Sequence, residues 1–171
     1  MVLARTAPGA ATPSYSLLLI LGGLLSSLAL VALWERQRES SPAFALWALA
    51  IGLFAALGSA AHGGFDLANA INAPSRPATD LPNQIDPRGM LTFGSAGLSV
   101  GAFSLLMWSH GAWPRPLVYV GFASALLLLA IYLVRLTVPS SPAVLAPAAL
   151  EGFIVNPVWY VWLGRELRRG G

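Results

Sequence analysis

Residues 15–34 read YSLLLILGGLLSSLALVALW. Twenty residues pass without a charge or a proline. At 1.5 Å per helical residue they cover about 30 Å, the thickness of a bilayer's hydrocarbon core. Thr12, Pro13 and Ser14 in front of the run form a helix start. The apolar stretch exceeds the roughly 7–15 residues of a secretory leader, and more apolar sequence follows it, so it is expected to stay as a first membrane span.

The rest of the chain repeats that pattern. Of its 171 residues, 56% are hydrophobic and 10% are charged. An ordinary globular domain is about a quarter charged, so there are too few charges here to clothe a water-soluble surface. Intrinsic disorder needs the opposite composition. The absence of cysteine removes disulfide frameworks, thiolate metal sites and cysteine nucleophiles. The expected fold is all-α, an integral membrane bundle of five transmembrane helices at about 15–34, 42–62, 90–109, 116–135 and 143–164. It forms one domain over 1–171, with a Pro-rich extramembrane loop at 73–89.

The second span starts at Ser40, Ser41 and Pro42 and is apolar to Ala61. Its helical pattern then runs on through His62 to Asn72. Counted through, it would be about 46 Å long, more than a bilayer needs, and Gly63 and Gly64 are the place for a bend. Whether residues 62–72 lie in lipid or water stays open. Pro74, Pro77, Pro82 and Pro87 forbid a long regular element in the loop that follows. Pro147 and Pro157 predict a bent fifth helix.

Ten arginines and no lysine face seven acids, for a net charge of +3. Five spans would leave the chain ends on opposite sides. Arg36, Arg38, Arg115, Arg165, Arg168 and Arg169 then share the C-terminal side, against Arg5, Arg76, Arg88 and Arg135 on the other. The positive-inside rule favours a cytoplasmic C-terminus and an external N-terminus, in a bacterial inner membrane. Trp34, Trp108, Trp113, Trp159 and Trp162 also fall at span ends on the C-terminal side, where tryptophan favours the water–lipid boundary. No basic stripe interleaved with aromatics calls for nucleic acid.

Ionisable groups are expensive in a membrane and mark candidate sites. His62, Asp66 and Asn69 fall within about 60° on one helical face, with Asn72 at its edge. They could form a proton-active or ligand-binding pocket, or cap the bundle outside the lipid. Glu151 lies nine residues past Pro142 and so below the boundary. Arg135 is its expected partner, with Asp66 or His62 as alternatives if helix two reaches that leaflet. Asn156 precedes Pro157, and its amide could satisfy the freed carbonyl or bridge to a neighbouring helix. Gly94, Gly97, Gly101 and Ser104 form a small-residue stripe containing a GxxxG match, read as packing inside the bundle rather than a dimer face.

The sequence contains no P-loop, no HExxH and no GxSxG elbow. His62 and His110 fall on opposite sides and cannot share a haem. No catalytic residue, metal or cofactor is expected.

The stretches 86–94 DPRGMLTFG, 114–121 PRPLVYVG and 153–164 FIVNPVWYVWLG resemble segments of uncharacterised bacterial polytopic membrane proteins that carry a domain of unknown function. The likeness covers residues 86–169. It implies a helical membrane fold and no activity. Two function classes follow. One is a non-catalytic accessory or structural membrane component, its partners the lipid bilayer, other membrane subunits or itself. The other is a small-molecule or ion binding or transport module using His62, Asp66, Asn69 and Glu151.

Overall fold

The computed structural model describes residues 11–72, 85–139 and 141–169. Their regular structure is entirely helical, without a strand. Five helices are long and apolar enough to cross a membrane: α1, Ala11–Gln37; α2, Pro42–Ile71; α3, Met90–His110; α4, Arg115–Thr137; and α5, Pro142–Arg169. All five expected spans are present, most of them longer than their apolar runs. Most of the expected loop at 73–89 lies outside the described residues, and only its final part, from Ile85 onward, is seen.

Local sequence sets the helix ends. Pro42 occupies the first turn of α2, where its missing N–H costs no hydrogen bond. Arg115 and Pro116 open α4 in the same way behind Pro114. Gly111 closes α3 in the left-handed conformation at φ 66°, which glycine adopts freely. Ser141 caps the start of α5, its hydroxyl accepting the Ala143 N–H at 3.3 Å.

Sequential helices pack as neighbours, and the C-terminal half of α5 returns to α1, closing a ring. The α1–α2 contact is the most extensive and uses small residues. A Cβ on Gly23 would meet the Ala56 carbonyl oxygen, and one on Gly63 would lie 2.6 Å from the Ser16 carbonyl. The α2 helix runs through Gly63 and Gly64 without interruption. Gly63 thus serves close packing against α1, while Gly64 faces open space.

The small-residue stripe of α3 lies against α4. A Cβ on Gly94 would come 3.2 Å from the Tyr132 ring, and one on Gly97 2.9 Å from Leu129. A Cβ on Gly101 would lie 3.4 Å from that of Ala125, an ordinary contact. Ser104 turns its hydroxyl to the Val100 carbonyl at 2.7 Å, leaving room for Gly121 of α4 to approach.

The large buried side chains gather at one end of the ring. Leu33 of α1, Phe103 and Met107 of α3, Leu117 of α4, and Trp159 and Leu163 of α5 are all fully enclosed there. Arg36 lies over the Trp113 ring at 5.5 Å, Arg38 over Trp34 at 5.4 Å and Arg115 over Trp108 at 4.1 Å. Guanidinium on tryptophan is a favourable contact at a membrane boundary. The outward surfaces carry leucine, valine and phenylalanine, among them Phe153 at 76% exposure, as a lipid-facing surface requires.

Candidate functional site

Both polar clusters stand where α-helical winding widens by one residue. At the start of α3, Met90–Ser95 is π-helical, and the Gly94 N–H donates to the Gly89 carbonyl five residues back at 3.1 Å. In α5, Glu151–Val155 is π-helical, and the Asn156 N–H donates to the Glu151 carbonyl. Such turns are rare and concentrate at functional positions. The second has a local cause. Pro157 cannot donate, and its ring would press on the carbonyl four residues back. An extra residue in the preceding turn relieves that clash.

The first cluster joins the end of α2 to the start of α3. His62 Nε2 lies 3.2 Å from Asp66 Oδ2, one helical turn on. His62 Nδ1 lies 3.9 Å from Asp86 Oδ2 and 3.4 Å from Thr92 Oγ1. Asp86 is 1% exposed. It accepts the backbone N–H groups of Leu91 at 3.1 Å and Thr92 at 2.9 Å, satisfying donors that a helix start leaves open. Burial pushes the Asp86 carboxyl up. The neighbouring His62 ring and the hydrogen bonds from Thr92 and Leu91 outweigh it and hold the group well below the usual carboxylate range. Gly89, at φ 81°, makes the sharp entry into α3 that places Asp86 under this first turn.

The second cluster lies within the bundle. Glu151 is 2% exposed. The Ser124 hydroxyl donates to Glu151 Oε1 at 2.5 Å, and Asn156 Nδ2 donates to the same oxygen at 3.3 Å. Glu151 Oε2 is buried, with no hydrogen-bond partner among the described residues.

Several sequence expectations change here. Arg135 is not the partner of Glu151; it lies over the Phe93 ring at 5.4 Å. Depth explains this, because Arg135 ends α4 while Glu151 reaches the level of Ser124, about 16 Å further along that helix. His62 and Asp66 do not reach Glu151 either. They bond to each other and to the α3 start. The Asn156 amide bonds within its own helix, to Glu151, rather than to a freed carbonyl or a neighbouring helix. Asn69 is half-buried and Asn72 exposed. Among the described residues neither side chain joins a cluster, and Asn72 closes α2 through its backbone N–H to Ala68. Sequence reasoning also missed Asp86, Thr92 and Ser124.

A half-open cavity of about 640 Å³ lies between the helices and reaches both clusters. Its walls come from all five helices. They are mostly glycine, alanine and leucine, with Ser26, Ser59, Ser99 and Tyr160 as scattered polar groups. Thr92 of the first cluster and Asn156 of the second both border it. Ser99 spends its hydroxyl on the Ala48 carbonyl at 2.8 Å. Among the described residues, no group of three or more histidines and acids is placed to hold a metal ion.

Compared with protein-family models, with curated proteins and with solved structures, the chain matches none.

Proposed function

We propose that this chain is a non-catalytic component of a bacterial inner membrane, an accessory or structural subunit that works through packing. The observation that supports this is the separation of its polar side chains. His62, Asp66, Asp86 and Thr92 close on one another at one level, and Glu151, Ser124 and Asn156 close on one another at another. A reaction centre needs acid, base and electrophile to converge on one point. Here each cluster instead fastens two helices: α2 to α3, and α4 to α5. The arginine balance favours a cytoplasmic C-terminus. The lipid-facing apolar surface suits a second membrane subunit or a second copy as partner.

Gentle extraction followed by native mass spectrometry tests the proposal. A co-purifying subunit or a self-oligomer is expected. A monomer carrying only a bound small molecule would speak against it.

The cavity favours a second reading, a site for a lipophilic small molecule with one or two polar groups. Its volume falls within the range of about 300–1,000 Å³ typical of ligand sites, and sparse polar groups on apolar walls are their usual lining. Gly22 borders the cavity and has open space beyond its Cα. Gly22→Leu therefore narrows the cavity without disturbing a helix contact. Loss of a retained small molecule, with unchanged thermal stability, is the expected outcome under this reading.

A further inference from the structure

At the tryptophan-rich end of the ring a separate cavity of about 350 Å³ opens between the ends of α1, α3 and α5. It holds neither polar cluster. Six of its lining residues matter: Arg36, Gln37, Glu39, His110, Trp113 and Glu166. Gln37 is 1% exposed, and its buried Nε2 has no hydrogen-bond partner among the described residues. An amide donor left in that state costs free energy, and it lines a cavity large enough to bring it an acceptor. Arg36 adds a guanidinium, held over Trp113 at 5.5 Å and donating to the Leu167 carbonyl at 3.3 Å.

The charges around this opening are mixed. Glu39 and Glu166 share the lining with the Arg36 guanidinium. Glu166 already accepts from Trp162 Nε1 at 3.2 Å and pairs with Arg169 at 2.9 Å through Oε1. His110 directs Nδ1 to the Leu106 carbonyl at 2.6 Å. A simple anion would meet two carboxylates here, and a simple cation would leave Gln37 and Arg36 unanswered. A zwitterion answers both. We infer that this cavity is a binding site for a phosphate ester bearing a primary ammonium, the headgroup of an aminophospholipid. The phosphate accepts from Gln37 and Arg36, and the ammonium donates to Glu39 and Glu166. Trp34, Trp108, Trp113 and Trp162 surround this end of the bundle. Tryptophan marks the headgroup level of a bilayer, so the lipid is the favoured source over a free phosphoethanolamine.

The test uses the full chain in nanodiscs containing dioleoyl phosphatidylethanolamine, phosphatidylcholine and phosphatidylglycerol in equal amounts, read by native mass spectrometry. The expected result is one retained phosphatidylethanolamine, favoured over each of the other two. Glu39→Gln lies on an exposed residue and leaves the bundle intact. It is expected to lower the preference over phosphatidylcholine about tenfold, the effect of one charge-assisted hydrogen bond. Gln37→Leu is expected to lower retention of all three. Equal retention of the three lipids by the unaltered chain overturns the proposal, as does an unchanged preference in Glu39→Gln. A thermal shift by free phosphoethanolamine without any lipid preference overturns the lipid assignment and gives the site to a soluble ligand.

Discussion

The two ends of the bundle are held together by different physics. At the tryptophan-rich end, large side chains fill the space between helices, with Phe103, Trp159, Leu33 and Met107 fully enclosed. At the opposite end, among the described residues, large buried side chains are scarce. There, glycine lets α1 lie directly on α2 at Gly63, as Gly23 does midway along the helices, and the His62–Asp86–Thr92 cluster ties α2 to α3. One end resists change through dense packing, the other through close backbones and a few directional bonds. In lipid the hydrophobic effect does not press helices together, so either device is needed to specify the arrangement.

The difference predicts an order of sensitivities. Phe103→Ala should be the most damaging single change, at about 3–5 kcal/mol, because it empties enclosed volume that neighbours cannot refill. Thermal unfolding in detergent measures this, and a cost below about 1 kcal/mol would show that the packed end is looser than described.

At the other end, Gly63→Ala should cost about 1–3 kcal/mol through overpacking, since its methyl group would meet the Ser16 carbonyl. Gly64→Ala, one residue on with nothing within 4 Å, should be neutral or slightly stabilising through helix propensity. Equal effects of the two would remove the role assigned to glycine in the α1–α2 contact.

Asp86→Ala should cost about 1–2 kcal/mol by removing the cap on α3. It also carries a pH signature. The folded protein holds the Asp86 carboxyl below its unfolded value. Its contribution is therefore fully present above about pH 4, the ordinary aspartate range. It is lost as pH falls below that range through the folded value. The unaltered chain should lose stability on acidification over that interval, and Asp86→Ala should lose less. Parallel pH profiles of the two would detach the acid sensitivity from this residue.

The smallest expected effect belongs to the inner cluster. Ser124→Ala should cost about 1 kcal/mol, a single hydrogen bond, while leaving the other end untouched. If it instead weakened the His62 cluster, measured through the acid profile, the two clusters would be coupled across the cavity.

The sequence showed the five helices plainly, because about 20 apolar residues without a charge have few other uses. The pair His62 and Asp66 was also legible, because its members sit one turn apart on the same helix. Asp86 and Thr92 were not, since they arrive from across a loop whose path no periodicity describes. Glu151 shows a different failure. Its place at the end of the neighbouring span on the same side pointed to Arg135, whereas depth in the membrane selects Ser124, and depth could have been counted from the helix starts. The π-helical turn before Pro157 had a sequence signal in the proline itself. Gln37 lies in the polar stretch 35–39 beyond the apolar run, yet α1 extends through it and turns it inward.

The central claim is that this chain crosses a bilayer five times, with its packed end on one face and its polar-clasped end on the other. The chain has no cysteine, so single cysteines report position cleanly. Ser40→Cys lies in the turn between α1 and α2, and Ser141→Cys lies just before α5. Each is labelled in sealed membrane vesicles with a membrane-impermeant maleimide. The account predicts that the two react from opposite sides. Reaction of both from the same side would contradict it.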